Sequence, residues 1–363
     1  VDEFHASTDI AGLVAGIFII GALIGRLGTG RVIEGIGSKR VLIFSTMFFI
    51  VTSALYFAAV SLSLLIIIRL LHGVAFGAAS TAAGTIVAQI IPVSRRGEGI
   101  GFYSIGAILA VAVGPFIGIF LIHHADFRMI FVLTSLLAAA SFALSFAVNK
   151  PVYEKPAPES AAADGRFRLS DFLEFKAIPI SLIILIISFS YSGLLTFISL
   201  YAKEIHLERA ASFYFLVYSI AVLVTRPLSG RLMDIKGANF VVYPCLLLYA
   251  AGMLIFSQAT AGIMLLTAAV LLAMGYGSFT SSAQAISIRG VPSHRMGLAI
   301  STFFIFVDLG FGIGPYLLGA LVGVTGYRGL YVIMTFVILA SIPLYYVLLG
   351  RKENRPHTHG PEG

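Results

Sequence analysis

Four charged side chains lie inside long apolar stretches of this sequence, where a charge is costly unless it meets a partner or water. One is an acid, Asp308, and three are arginines, Arg26, Arg69 and Arg226. A buried carboxylate can take up and release a proton, because burial favours its neutral form while a nearby arginine favours its charged form. A buried arginine can hold an anion or pair with the acid. These residue types predict proton binding and anion recognition at membrane depth.

Each of these four side chains could instead have a purely structural role. Asp308 lies about twelve residues, or roughly 18 Å, from the inner end of its apolar stretch, where it could accept a structural hydrogen bond. Arg26 and Arg226 each lie about seven residues from an inner end and could extend to the lipid headgroups there. Arg69 lies about five residues inside an outer end and could do the same on that side.

The composition shows what kind of elements must position these side chains. The chain has 363 residues, of which 58% are hydrophobic and 11% charged, whereas a soluble domain carries about 25% charged residues. A single soluble domain is therefore excluded. Only helices or closed barrels satisfy the backbone in hydrocarbon, so we expect an all-α polytopic membrane protein. Its apolar runs are 10–33, 41–61, 64–92, 98–122, 127–148, 177–203, 210–230, 239–257, 260–288, 297–323 and 327–350, which makes eleven.

The basic residues indicate the orientation of these runs. Of the 24 lysines and arginines, 17 fall in one set of alternating connections and 4 in the other. Because cytoplasmic connections are enriched in Lys and Arg, we expect the carboxyl terminus inside and Val1 outside. The net charge of +7 is explained by this bias, and we expect no nucleic-acid partner.

One long polar connection, 149–176, divides the chain. Its first part is rich in Pro, Ala and Glu and is typical of a flexible linker, and 166–173 is amphipathic like a helix on the inner leaflet. The predicted domains are an amino-terminal bundle over 1–148, a carboxyl-terminal six-helix bundle over 177–350 and a cytoplasmic tail over 351–363. Residues 1–9 contain no apolar segment followed by a cleavage site, so we do not expect them to be a signal peptide.

The two bundles repeat each other at an offset of 200 residues. Arg26 recurs as Arg226, and the pattern Gly30, Glu34 and Gly37 recurs as Gly230, Asp234 and Gly237; the other pairs are Gly77 and Gly277, Pro92 and Pro292, Arg95 and Arg295, Gly114 and Gly314, Pro115 and Pro315, and Arg128 and Arg328. A constant register indicates duplication with both copies in one orientation. The run 177–203 has no counterpart in the first copy, so we expect one more helix before Val1, eleven of twelve being present.

At the connection 31–40 the chain resembles the major facilitator superfamily, most closely its bacterial proton-coupled drug and metabolite exporters. The family's loop motif is matched by Gly30, Glu34, Gly37, Lys39 and Arg40. Glu34 replaces the usual Asp, and two other positions lack the usual basic residue. The resemblance implies a latch in which the acid meets a helix end or an arginine. The alternative is a glycine turn that only carries topology signals.

Two further motifs carry the resemblance, which covers the whole chain. Arg69, His72 and Gly73 resemble the fourth-helix motif, with His72 in place of Gln, and imply an arginine that faces the cavity and serves proton coupling. The fifth-helix motif, which in the family marks exporters, is resembled by Gly106, Gly114, Pro115 and Gly118. Ordinary helix packing by glycines is the alternative for this second motif.

The expected function is secondary transport by alternating access, as a proton-coupled antiporter that exports a small amphipathic compound, for example in multidrug efflux. A symporter that imports a small metabolite is the alternative, and an intramembrane enzyme or receptor is a remote one, because no paired catalytic set lies at membrane depth. We expect a monomer in the bacterial inner membrane with protons and a small molecule as partners and with no cofactor or metal. The cavity is expected to be lined by Ser80, Thr81, Tyr103, Tyr191, Ser192, Ser281 and Gln284.

Overall fold

A computed structural model describes residues 8–124, 126–149 and 169–351, and these residues form helices and connections without a strand. The helices of the amino-terminal part are α1 (Thr8–Ile36), α2 (Ser38–Leu55), α3 (Leu62–Ile90), α4 (Arg96–His124) and α5 (Arg128–Ala147). The later helices are α6 (Ile178–Glu204), α7 (Glu208–Lys236), α8 (Ala238–Ser257), α9 (Gly262–Leu272), α10 (Ser278–Ser287) and α11 (Met296–Tyr345). The prediction of an all-α protein is confirmed for this part of the chain.

Each predicted apolar run falls on helix, and the described residues contain nine helical stretches long and apolar enough to cross a membrane. The last stretch, Ser293–Gly350, has 58 residues and contains a break at Gly326, where φ is +68°. A π-helical turn at Ala273–Gly277 joins α9 to α10. The expected eleven crossings, and a twelfth helix before Val1, stay predictions.

The described chain divides into two compact units. Among the described residues, unit 1 comprises 8–92, 109–124, 126–149, 169–178 and 287–312, and unit 2 comprises 93–108, 179–286 and 313–351. Each unit therefore takes residues from both copies of the repeat. The predicted domain boundaries at 148 and 177 divide the chain into consecutive segments, whereas these two units group the residues that contact each other.

Glycines bring the helices of unit 1 close together. A β-carbon at Gly21 or Gly25 of α1 would overlap the backbone of α3 at Leu70 or Val74, and one at Gly73 or Gly77 of α3 would overlap the backbone of α1. Small residues at such contacts let helix backbones approach closely where hydrocarbon supplies no hydrophobic drive. Arg26 on α1 is thereby held beside the α3 positions Ser80 and Thr81.

Unit 2 uses the same device between α4 and α7. A β-carbon at Gly97 would overlap the carbonyl of Gly230, and one at Gly230 would overlap the backbone of Gly97. A β-carbon at Gly101 would press on the carbonyl of Arg226. The first turns of α4 therefore lie directly against the part of α7 that carries Arg226.

The turns between α1 and α2 and between α7 and α8 need glycine. Gly37 has φ +86° and ψ 148°, and Gly237 has φ +87° and ψ 166°. Residues with a β-carbon rarely adopt this conformation. Glycine therefore suits the turn in both copies of the repeat.

Several sequence expectations fall on residues that the structure does not describe. The region before Thr8, the linker residues 150–168 and the tail residues 352–363 all lie outside the described residues. Of the expected amphipathic segment, Leu169–Asp171 is described and forms a short 3-10 helix.

Candidate functional site

The acid Asp308 and Arg26 form a buried ion pair within unit 1. Arg26 Nε donates to Asp308 Oδ2 at 2.7 Å, and Nη2 lies 3.4 Å from Oδ1, so both carboxylate oxygens face the guanidinium. The arginine side chain is 3% exposed and the aspartate side chain 17% exposed. Since a charge-assisted pair with two contacts is among the stronger polar interactions in proteins, this pair holds α1 to the first part of α11.

Other contacts complete the environment of Arg26. Its Nη1 donates to the Ser80 hydroxyl at 3.1 Å and lies 3.5 Å from the Thr81 hydroxyl. The guanidinium lies 4.6 Å from the ring centre of Phe304 and 5.9 Å from that of Phe76, distances at which aromatic rings attract a cation. The arginine is thus fully enclosed by an acid, two hydroxyls and two rings, and headgroup contact is not its role in this structure.

Arg226, the counterpart of Arg26, has a different set of partners within unit 2. Its Nε donates to the Gly277 carbonyl at 2.7 Å, and its Nη1 donates to the Ser104 carbonyl at 3.0 Å. The residue is 6% exposed, and in the described part of the chain no carboxylate lies within ion-pair distance of it. Main-chain carbonyls solvate this buried cation without neutralising it.

Tyrosines pack around Arg226. Tyr191, Tyr218 and Tyr276 are 5%, 7% and 6% exposed, and all three lie close enough to the guanidinium to interact with its charge. The rings of Tyr191 and Tyr276 stack with centres 3.9 Å apart, and those of Tyr191 and Tyr218 with centres 5.8 Å apart. The hydroxyls of Tyr191 and Tyr218 are hydrogen-bonded to each other. This cluster brings polar donors to a buried cation.

Arg69 and His72 lie on α3 in unit 1, apart from the Arg26 pair. Arg69 is half-buried, donates from Nε to the Val14 carbonyl at 3.1 Å, and lies 5.1 Å from the ring centre of Phe18. The His72 ring contacts Phe49 with ring centres 4.4 Å apart, and its buried Nδ1 meets no hydrogen-bond partner among the described residues. The fourth-helix motif therefore forms an aromatic and main-chain environment of its own.

The acid in the second copy of the loop motif meets a helix end. Asp234 accepts hydrogen bonds from the backbone N–H of Gly97 at 2.8 Å and of Glu98 at 2.9 Å. These N–H groups belong to the first turn of α4, where the helix dipole also favours a negative charge. This contact joins α7 to α4 within unit 2, and a latching role for it stays a prediction.

The first copy of the loop motif behaves differently. Glu34 is half-buried, and its buried Oε1 has no hydrogen-bond partner among the described residues. Lys39 instead donates to the Phe146 carbonyl at 2.9 Å, and Arg40 is exposed. A β-carbon at Gly30 would touch the Ser301 side chain. Glu34 therefore makes no helix-end hydrogen bond among the described residues, whereas Arg295 and Arg31 lie close enough to interact with its charge, and a latch at Glu34 stays a prediction.

The glycines of the fifth-helix motif lie on α4 without tight packing. β-Carbons at Gly106, Gly114 and Gly118 would meet nothing within 4 Å among the described residues. Pro115 lies on the same helix. Among the described residues the close approach of α4 to a neighbouring helix occurs at Gly97 and Gly101 instead.

The remaining predicted cavity residues all lie in unit 2. Tyr103 is half-buried on α4, and Gln284, Ser281 and Ser192 are buried on α10 and α6. Ser281 donates to the Ser278 carbonyl of its own helix at 3.1 Å. These hydroxyl contacts are those of ordinary helix packing.

Sequence reasoning missed two tyrosines of the Arg226 environment and one ion pair elsewhere in the chain. Tyr218 and Tyr276 were not singled out, yet each lies 200 residues after a phenylalanine, Phe18 and Phe76. It also missed the pair in which Arg295 Nε donates to Glu174 at 2.5 Å. The register that identified the repeat could have found the tyrosines, since a phenol replaces a phenyl ring at both positions.

With this geometry in place, comparison with known proteins decides the family. The family model of the Major Facilitator Superfamily matches residues 1–306 and 210–363. The chain belongs to the Major Facilitator Superfamily. An uncharacterised transporter of this type from Methanocaldococcus jannaschii, MJ1560, is 22% identical over 324 residues, covering 88% of this chain and 84% of that protein.

Two other members of the superfamily resemble the chain. The multidrug resistance protein MdtG of Dickeya zeae is 24% identical over 353 residues, covering 95% of this chain and 86% of that protein. The crystal structure of the human organic anion transporter MFSD10 superposes with a TM-score of 0.75 at 18% identity, covering 92% of this chain and 83% of that one. The chain is thus a polytopic membrane transporter of this superfamily.

Proposed function

We propose that this chain is a proton-coupled antiporter that exports a small amphipathic compound, with Asp308 as the group that binds the proton. The observation that carries the proposal is the buried pair between Arg26 and Asp308. Protonation of Asp308 removes the charge that Arg26 faces, so the contact between α1 and α11 weakens. A group whose two protonation states favour different conformations is what coupling requires, and a bias of a few kcal/mol is enough.

Other features support parts of this proposal. The motif at Arg69 and His72 resembles the one that the family uses in proton coupling. The glycines of α4 resemble the motif that marks exporters, and the relative MdtG carries a multidrug resistance name. Alternating access would use the contact of Asp234 with the first turn of α4 as a latch. We place the protein in the bacterial inner membrane as a monomer with a cytoplasmic carboxyl terminus.

Transport into everted membrane vesicles tests the proposal. With an acidic vesicle interior, wild type should accumulate compounds from a panel of amphipathic drugs and metabolites, and collapse of the pH gradient should abolish this accumulation. Asp308→Asn should still exchange labelled for unlabelled compound but lose gradient-driven accumulation. Glu208→Gln, which removes an exposed acid at the start of α7, is the matched control and should behave as wild type.

Two outcomes would change the proposal. If Asp308→Asn accumulates compound as well as wild type at every gradient, Asp308 is not the proton site. If right-side-out vesicles with an acidic exterior accumulate compound and everted vesicles do not, the chain is an importing symporter.

A further inference from the structure

The environment of Arg226 lacks one component that the environment of Arg26 has. The position 200 residues before Asp308 is Ile108, a buried apolar residue. Ile108 follows Ser104, whose carbonyl accepts from Arg226, by one helical turn, so both lie on the same face of α4. The second copy therefore keeps the buried arginine and has no acid at the equivalent position.

The same comparison shows what the second copy has gained. Phe18 and Phe76 of the first copy correspond to Tyr218 and Tyr276 of the second. Tyr218, Tyr276 and Tyr191 all interact electrostatically with the Arg226 guanidinium. Phenol hydroxyls can donate hydrogen bonds, which phenyl rings cannot. Compared with the first copy, the second copy has no acid at the equivalent position and has phenols in place of two phenyl rings.

The helix that supplies a carbonyl to Arg226 departs from regular α-helical geometry at that point. The Gly277 carbonyl that accepts from Arg226 Nε ends the π-helical turn Ala273–Gly277. Such turns are rare and occur frequently at functional sites. Arg226 is 6% exposed, and a buried cation that carbonyls solvate but that no opposite charge neutralises is costly. The site therefore favours an anion supplied from outside the chain.

We propose that Arg226, together with the phenols of Tyr218 and Tyr276, binds the carboxylate of a small organic anion. This carboxylate supplies to Arg226 the charge that Asp308 supplies to Arg26. The stacked rings of Tyr191 and Tyr276 offer flat apolar faces to the rest of the ligand. The inference deepens the proposed transport function and rests on it, since it names the class of compound carried as small carboxylates.

Binding to the purified full chain in lipid nanodiscs tests this proposal. The probes are acetate, hexanoate, benzoate and 4-hydroxybenzoate, each measured by isothermal titration calorimetry beside its primary amide, with chloride as a separate arm. Because a charge-assisted contact is lost in the amide, at least one acid should bind about tenfold more tightly than its amide, which is about 1.4 kcal/mol. Chloride should not compete at equal concentration.

Two variants locate the binding at Arg226. Arg226→Gln should weaken the carboxylate by about tenfold or more, because it removes the cation while keeping a polar side chain. Ile108→Asp should weaken it to a similar degree, because an internal acid then occupies the place of the ligand. Arg231→Gln changes an exposed arginine on the same helix and is the matched control that should bind as wild type. Arg226→Lys keeps the charge and should retain part of the affinity, which separates loss of the site from loss of the fold.

The outcomes separate this inference from the proposed function. If no acid binds more tightly than its amide, or if chloride binds as well as any acid, the carboxylate site is overturned, whatever the vesicles show. If carboxylate binding disappears in Arg231→Gln as much as in Arg226→Gln, the binding lies elsewhere. Carboxylate binding that persists without any pH-driven flux in vesicles would instead overturn the antiport proposal and leave the site standing.

Discussion

Arg26 and Arg226 occupy equivalent positions of a duplicated chain, yet they are stabilised in different ways. Arg26 meets a carboxylate 282 residues away, with Asp308 Oδ2 at 2.7 Å. Arg226 meets the main-chain carbonyls of Gly277 and Ser104. A proton can cancel the charge that faces Arg26, whereas no titratable acid among the described residues faces Arg226. Both copies therefore keep the cation while the groups that compensate its charge differ, and the proposals of a proton site at one and a ligand site at the other rest on this difference.

Removing the two arginines should give the largest difference between the sites. Arg26→Met leaves Asp308 buried without its partner, which should cost about 3–5 kcal/mol of stability. Arg226→Met leaves only two main-chain carbonyls without a donor, so the loss should be about 1–3 kcal/mol. The double variant Arg26→Met/Asp308→Leu should recover most of the loss, because no charge then remains. Unfolding by SDS titration in mixed micelles measures these differences, and equal losses at 26 and 226 would remove the distinction drawn here.

The glycines beside the two arginines should separate next. Gly230→Ala places a β-carbon against the backbone of Gly97, which cannot move without displacing α4, and should cost about 1–3 kcal/mol. Gly30→Ala meets only the Ser301 and Leu298 side chains and should cost less, because side chains can shift. The same SDS titration applies. A larger loss for Gly30→Ala would mean that α1 and α11 pack more rigidly than α4 and α7.

The two acids of the loop motif should differ by a smaller amount. Asp234→Asn weakens two contacts with the first turn of α4 and should cost about 0.5–2 kcal/mol. Glu34→Gln should change stability by less than about 0.5 kcal/mol, since Oε1 of Glu34 accepts nothing among the described residues.

Spin-label distances across the cytoplasmic face provide the conformational measurement for these acids. They should shift in Asp234→Asn and stay near wild type in Glu34→Gln. A shift confined to Glu34→Gln would restore the latch to the first copy of the motif and contradict the assignment to the second.

The smallest expected effect concerns the hydroxyl that faces Arg26. Ser80→Ala removes the acceptor of the 3.1 Å bond from Arg26 and should cost about 0.5–1.5 kcal/mol. Ser281→Ala is the control, because its hydroxyl bonds only a carbonyl of its own helix and that carbonyl keeps helical partners. Equal stabilities of the two variants in the SDS titration would show that Ser80 adds nothing to the ion pair.

The sequence by itself determined the helices, the repeat and the turns. Hydropathy locates each helix because hydrocarbon leaves the backbone no alternative, and glycine at 37 and 237 follows from a backbone conformation that other residues rarely adopt. The 200-residue register also placed Arg26 and Arg226 in equivalent positions. These properties depend on local composition and on spacing, which a sequence displays directly.

Only the tertiary structure decided which charges meet. Asp308 and Arg69 were both expected to need partners, and the structure gives Asp308 the guanidinium of Arg26 while Arg69 receives the Val14 carbonyl. In the described residues Asp234 makes a helix-end contact and Glu34 does not. Such choices depend on how each helix is rotated and how closely it approaches its neighbours. A periodic apolar sequence specifies depth along a helix far better than it specifies rotation, because lipid-facing and helix-facing positions are almost equally apolar.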